Sequence, residues 1–155
     1  MTLKNSPLLT TILALTLMAS VTGAGEAYRC PPTPPDAEGP FYRAGAPVRN
    51  KIGTGYLLLG EVRSAADCAP VAGAKIEVWM TGADGRYDDR WRATLFASQN
   101  GRYFFESHFP GPYGSRPSHI HLSVTAPGFS ELITQHYPRP GSAEAVFDLV
   151  LVPAP

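Results

Sequence analysis

The feature that most constrains the fold is a train of short apolar runs, each cut off by a turn signal. The runs are "GYLLLGEVR" (55–63), "AKIEVWMT" (74–81), "WRATLFA" (91–97), "RYFFES" (102–107), "HIHLSVTA" (119–126), "LITQHY" (132–137) and "AVFDLVLV" (145–152). "DCAPVAG", "GADG", "SQNG", "PGPYGSRP" and "PRPGS" separate them. These separators hold the residues that supply turn dihedrals and local side-chain caps. None of the runs keeps a helical period, and each has the length and aromatic or β-branched content of a strand. The pattern predicts an all-β fold, a single sandwich of antiparallel strands over residues 51–155.

An irregular arm precedes the sandwich. Residues 28–50, "YRCPPTPPDAEGPFYRAGAPVRN", carry proline at a density that excludes both regular helix and central strand. The arm is expected to lie extended over the surface. Residues 1–27 have a different character again. Lys4 is followed by an apolar run from about Leu8 to Val21 and then by small residues. That order is the order of a secretory signal peptide, with cleavage expected after Ala24 or Ala27. The run is short for a membrane span, which needs about 20 apolar residues, so no membrane association is expected after cleavage. Export to the periplasm or beyond the cell follows as the expected localisation. In that setting the two cysteines, Cys30 and Cys68, are expected to form a disulfide tying the arm to the domain. The chain balances 13 basic against 13 acidic residues. Its basic residues form no stripe, so nucleic acid is not an expected partner.

The stretch "PGPYGSRPSHIHLSV" (110–124) holds the chemistry. In "HIHLSV" the strand alternation sends His119, His121 and Ser123 to one face and Ile120, Leu122 and Val124 to the other. Two positions along a strand span about 7 Å between Cα atoms. Two imidazoles at that spacing can converge on one ion at about 2.0–2.1 Å, or can be ordinary polar residues on a wet sheet face. Pro110, Pro112 and Pro117 stiffen the preceding loop and fix Tyr113 and Arg116 near the start of the strand. No Asp or Glu lies in this stretch, so the two-histidine, one-carboxylate ferrous site has no local support. A phenolate is the alternative donor, and a hard oxygen anion suits a trivalent Lewis-acidic ion. Gly-Arg-Tyr occurs twice. Tyr103 in "NGRYFFES" sits in an apolar strand and reads as core. Tyr87 in "DGRYDDRW" lies in a polar turn, where packing gives no reason for an aromatic ring, and is the better ligand candidate.

These pieces, in this order, resemble the intradiol ring-cleavage dioxygenases, the family of protocatechuate 3,4-dioxygenase and catechol 1,2-dioxygenase. The stretches that carry the resemblance are "TPPDAEGPFY" (33–42), "GEVRSAADCAPVAGAKIEVWMTGADGRY" (60–87), "NGRYFFES" (100–107), "PGPYGSRPSHIHLSV" (110–124) and "LITQHY" (132–137). The resemblance implies a mononuclear non-haem Fe(3+) held by Tyr87, Tyr113, His119 and His121. Tyr113 and His119 would be axial, and Tyr87 and His121 equatorial. It places Arg116 and Gln135 beside the iron, with Arg116 stabilising negative charge on the substrate ring. The implied reaction uses O2 to open a catechol-type ring between its hydroxylated carbons and gives a muconate-type diacid. The implied partners are therefore a small catecholic substrate and O2.

The chain also departs from the family pattern. It has a proline-rich arm where catechol-specific members carry a helical dimerisation segment. Its loop from Tyr113 to His119 is short, which predicts an open pocket mouth. Oligomeric state is not readable from the sequence, nor are the substrate's ring substituents. Arg43, Arg49 and Arg90 are equivalent candidates for a carboxylate clamp. His108 and His136 fall on no ligand position and are expected at the surface or behind the ligands. Trp79 reads as core, with lining of the pocket as the alternative, and Tyr42 as either substrate-facing or packing. Two other functions compete. "GEVRSAADCAPVAGAKIEVW" also resembles prealbumin-like sandwich modules that act as non-catalytic binding or spacer domains. A histidine-based zinc hydrolase is the third reading, but it lacks a carboxylate base or third histidine in place.

Overall fold

Each apolar run becomes a strand in the computed structural model, which describes residues 28–155. The run read as a signal peptide lies outside the described residues. The strands are β1 (Tyr56–Ser64), β2 (Lys75–Thr81), β3 (Tyr87–Phe96), β4 (Arg102–Ser107), β5 (Ile120–Thr125), β6 (Leu132–His136), β7 (Glu144–Val146) and β8 (Leu149–Leu151). They form two sheets. One has the order β4-β1-β7, with β8 also pairing to β1, and the other has the order β3-β2-β5-β6. The all-β sandwich expected from the turn-punctuated runs is the observed architecture.

The two sheets bury their residues differently. Along β1 burial alternates strictly, so Tyr56, Leu58 and Val62 enter the core while Leu57, Leu59 and Glu61 face out. This is the signature of a strand covered on one face. β5 is buried along nearly its whole length, as is β2 after Lys75. Ile76, Val78 and Met80 join Ile120, Leu122 and Val124 in the core between the sheets. Their opposite face holds Glu77, Trp79, Thr81, His121 and Ser123, which are buried as well. The arm covers that outer face.

Two strand boundaries differ from the expectation. β3 begins at Tyr87 instead of Trp91, because Tyr87 pairs with Thr81 beyond a register shift between Trp79 and Thr81. The intervening Asp88, Asp89 and Arg90 are exposed. They belong to an edge strand, which accepts such polar residues and so looks like a turn in sequence. The last run divides because Asp148 leaves the ladder and accepts the Glu61 N–H at 2.9 Å through its own carboxylate. β7 and β8 both pair parallel to β1, so the sandwich is not antiparallel throughout.

The arm is held along its length. A disulfide joins Cys30 to Cys68 with a Cα–Cα distance of 5.4 Å. Thr33 N–H donates to Val150 O at 3.1 Å, and Asp36 N–H to Ile133 O at 2.9 Å. Thr134 Oγ1 donates to Pro34 O at 2.9 Å. Beyond the site, Val48 bridges to Thr94 and Lys51 to Glu106.

Candidate metal centre

The outer face of the second sheet carries one row of side chains across its strands. Arg92 pairs with Trp79, Trp79 with His121, and His121 with Gln135. His119 lies just before β5 and is 2% exposed, while His121 is 1% exposed. Neither is a wet-face histidine. The Nε2 atoms of the two rings stand 3.1 Å apart, and the Tyr87 hydroxyl lies 2.9 Å from each.

Two loops carry the tyrosines and pack backbone to backbone. Gly111 N–H donates to Gly82 O at 3.1 Å, and Thr81 Oγ1 donates to Gly111 O at 2.6 Å. A Cβ at Gly111 would stand 2.6 Å from Gly85 N, so only glycine allows this approach. The contact brings the Tyr113 ring to 5.4 Å from the Tyr87 ring. Tyr113 is 41% exposed, and its hydroxyl makes no hydrogen bond to the three converged atoms. A tight turn then pairs Tyr113 with Arg116, whose N–H donates to Tyr113 O at 2.9 Å.

The protonation of the cluster follows from its surroundings. His119 Nδ1–H donates to Pro117 O at 2.7 Å, which leaves Nε2 of the neutral ring as a lone pair facing inward. Burial holds the His119 pKa below the usual histidine value, with Arg116 adding to the effect. Burial, then His119, then Arg116 push His121 down to about 4. Its Nδ1 is buried without a hydrogen-bond partner. Burial raises the Tyr87 phenol to about 12, and Tyr113 adds to that while Arg116 and Arg92 oppose it. The metal-free cluster is therefore neutral, with more inward lone pairs than protons to share among them.

That donor set fits a cation. Two donors about 2.1 Å from one ion at a right angle stand about 3.0 Å apart, and the three separations here are 2.9, 2.9 and 3.1 Å. A bound cation would also favour loss of the Tyr87 proton. Among the described residues no three His, Cys, Asp or Glu side chains gather to hold an ion. The side-chain donor that meets both histidines is the Tyr87 hydroxyl.

The remaining residues surround this cluster. Arg116 donates to Gln135 Oε1 at 2.9 Å and to Tyr137 Oη at 3.0 Å. Trp79 is 1% exposed and lies parallel to His121 at 4.9 Å, so it faces the site and not the intersheet core. Tyr42 packs edge-on against Trp79 and donates to Glu77 Oε2 at 3.1 Å. His108 Nε2 lies 3.0 Å from Thr81 O. His136 points toward β1, where the Tyr56 hydroxyl meets its Nε2 at 2.6 Å, and burial pushes it down to about 4. It is half-buried and lies away from the candidate ligands, because His136 and Thr134 share the inward side of β6, with His136 opposite Ile120 across the ladder.

Sequence reasoning missed four contributors. Phe41 stacks on Tyr87 at 4.2 Å and meets Tyr113 edge-on at 5.2 Å. Gly39, at φ 72°, lies where a Cβ would stand 3.3 Å from His121 Cε1. Asp36 and Tyr137 share a hydrogen bond of 2.9 Å beside Gln135. Only Tyr137 had a readable signal, since it follows Gln135 by two positions on one strand face.

Comparison with known proteins agrees with this architecture. The family model described as Dioxygenase matches residues 38–148. The chain is 29% identical over 166 residues to a 6-chlorohydroxyquinol 1,2-dioxygenase of Cupriavidus pinatubonensis, covering 85% of this chain and 59% of that protein. It is 33% identical over 146 residues to a catechol 1,2-dioxygenase of Pseudomonas sp. (strain EST1001), covering 71% and 48%. The chain thus spans about half the length of these curated relatives. Among solved structures, it resembles the dioxygenase domain of a dioxygenase carbohydrate-binding protein fusion from Streptomyces sp. SirexAA-E. That match has a TM-score of 0.72 and 28% identity over 80% of this chain and 100% of that one. An intradiol ring-cleavage dioxygenase from Tetranychus urticae shares the fold with a TM-score of 0.72 at 20% identity, covering 80% and 96%. The chain belongs to the dioxygenase family, as a member of its intradiol ring-cleavage group.

Proposed function

We propose that the protein is an exported, ferric, non-haem intradiol dioxygenase acting on a catechol-type diol without a ring carboxylate. The observation that carries this reading is the convergence of Tyr87, His119 and His121 within 2.9–3.1 Å of one another. Tyr87, Tyr113, His119 and His121 would hold the Fe(3+), which when bound supplies Lewis acidity and draws electron density from a coordinated diol.

The chain's own residues account for the rest. Tyr113, exposed and beside Tyr87, would hold the ferric ion as a phenolate, whose oxygen can take a proton from the incoming diol and become the neutral phenol. Arg116 is a fixed cation that stabilises negative charge developing on the ring. Phe41 lies over one face of Tyr87 and keeps water from it. The overall reaction balances without an external reductant: a catechol and one O2 give one diacid that retains both oxygen atoms.

The arginines argue for an uncharged ring. Arg43 pairs with Asp89 at 3.1 Å and Arg90 with Asp88 at 2.9 Å. Arg49 donates to the carbonyls of Arg90 and Arg92. Each of the three is already engaged by a protein partner, so a substrate carboxylate would have to compete for it. Export is supported by the leader-like composition of residues 1–27 and by the disulfide.

The test is to load the purified protein with ferric iron, record its visible spectrum and follow O2 uptake against a panel of catechols. A red protein with a phenolate charge-transfer band and uptake with unsubstituted or halogenated catechols is expected. Tyr87→Phe should shift that band and lower kcat by more than about 100-fold, beyond the usual cost of an outer partner. A colourless protein that takes up zinc in place of iron, or a red protein inert toward every diol, would overturn the reading. The second outcome would favour the spacer-module alternative.

A further inference from the structure

Arg116 differs from the other arginines around the site. Arg43, Arg90 and Arg92 each reach a carboxylate, that of Asp89, Asp88 and Asp89 respectively. Arg116 donates to neutral side-chain oxygens, on Gln135 and Tyr137, and among the described residues it forms no ion pair. A carboxylate does stand behind those two groups. Asp36 Oδ2 accepts the Tyr137 hydroxyl at 2.9 Å, and Asp36 Oδ1 accepts from Gln135 Nε2 at 3.3 Å. Asp36 is itself fixed on the arm. Its N–H donates to Ile133 O at 2.9 Å, and its Oδ1 takes the Ala37 N–H at 2.6 Å.

We propose that Asp36 is a positioning residue for Arg116, acting through Tyr137 and Gln135. The neutral relay holds the guanidinium in place and leaves its charge free for the anion of a bound diol. The inference rests on the reading of the site as one that binds a catechol.

The hydrogen-bond inventory requires the relay to be directional. Tyr137 has one hydroxyl proton. While Asp36 takes it, the Tyr137 oxygen is an acceptor for Arg116. The Gln135 amide donates to Ala37 O at 2.6 Å as well as to Asp36, which turns its Oε1 toward Arg116. Without Asp36, the Tyr137 proton has another acceptor 3.1 Å away, Gln135 Oε1. It would then compete with Arg116 for that oxygen. A carboxylate in direct contact would also orient the arginine, but it would cancel the charge that a diol anion needs. Asp36 one group removed orients Arg116 without contacting it.

Asp36→Ala, Asp36→Asn and Arg116→Ala separate positioning from simple charge. Asn keeps an acceptor for the Ala37 and Gln135 donors but turns its NH2, a donor, toward Tyr137, so it removes both the charge and the acceptor that takes the Tyr137 proton. In anaerobic titrations of the ferric protein with catechol, Asp36→Ala and Asp36→Asn should both bind about tenfold more weakly, whereas loss of a negative charge alone would tighten binding of the diol anion. In the Arg116→Ala background, Asp36→Ala should cost nothing further. In the metal-free protein, the side-chain 15N signal of Arg116 Nε should be sharp in wild type and broadened in Asp36→Ala and Asp36→Asn. Catechol binding by Asp36→Ala as tight as or tighter than wild type would show that Asp36 acts by charge alone and overturn the proposal. An equal loss in the Arg116→Ala background would overturn it too. Should the wild-type protein bind no catechol, the ferric reading fails, and the Arg116 signal still decides the relay.

Discussion

At the scale of single residues, the site is decided by what lies against each ring. His121 is clamped between converging donors on its edge and the Trp79 indole on its face, parallel at 4.9 Å. Such stacking fixes the imidazole plane without consuming a ring nitrogen. It also makes Trp79 a reporter. A paramagnetic or electron-accepting ion on His121 Nε2 would lie within quenching range of a buried indole, whereas Trp91 packs against His108. In a Trp91→Phe background, ferric iron should quench more than about half of the Trp79 fluorescence, and a chelator should restore it. His121→Ala should abolish the quenching. Full emission from an iron-loaded protein would mean that the ion sits elsewhere. Much at this scale was legible in the sequence. The alternation of "HIHLSV" gave His119 and His121 a common face, and the stiff loop gave Tyr113 and Arg116 a place beside them. Tyr87 was chosen because a polar turn offers an aromatic ring nothing to pack on. It starts an edge strand instead, yet its hydroxyl reaches both histidines. Phe41 was not legible, because a stacked aromatic in a proline-rich arm has no period to betray its partner.

At the scale of elements, the arm is the piece whose meaning changed. Proline density predicts an extended segment; residues 28–50 form no helix or long strand, and they roof the candidate-site face of the second sheet. The residues beneath explain why. A sheet face carrying Glu77, His121, Ser123 and Gln135 cannot be buried against another apolar sheet. An arm without regular structure has spare backbone groups, and Ala37 O accepts from Gln135 in this polar row while Pro34 O accepts from Thr134 on the other side of β6. Gly39 lies where the roof passes close to His121. Its φ of 72° and the 3.3 Å from a built Cβ to His121 Cε1 make two separate demands for glycine. Gly45 has a φ of 82° and nothing within 4 Å, so it carries the first demand alone. Each Gly→Ala change should cost about 1–2 kcal/mol through the left-handed backbone. Only Gly39→Ala should also weaken iron binding, by about tenfold, since it alone displaces a ligand ring. Equal iron affinity in both variants, measured by competition with a chelator, would show that the roof does not press on His121.

At the scale of the molecule, the two sheets and the arm are tied by one covalent link, and its position separates stability from function. The Cys30–Cys68 bond closes a loop with a sequence separation of 38 residues, for which the chain-entropy account gives about 4 kcal/mol. The disulfide itself followed from the sequence once export was inferred. Its relation to the site did not, because that depends on where the arm is next fastened. The next fastening comes at Thr33, whose Oγ1 donates to Asp148 O at 3.1 Å and accepts the Val150 N–H at 2.8 Å. Its N–H reaches Val150 O at 3.1 Å. Beyond it, Pro34 and Asp36 bond to β6 before the chain arrives at Gly39 and Phe41. Breaking the disulfide therefore frees the arm only as far as Thr33, while raising the entropy of the whole unfolded chain. A Cys30→Ser, Cys68→Ser variant should lose about 3–4 kcal/mol of unfolding free energy in urea. Cys68 has a φ of 65°, and serine inherits that backbone cost, so it cancels from the comparison. Iron affinity and the charge-transfer band of the variant should stay within about twofold of wild type at temperatures where it is folded, since independent, well-separated sites are additive. Loss of iron in step with loss of the disulfide would mean that the Thr33 fastening is too weak to hold the roof alone. The link would then belong to the site as well as to the fold.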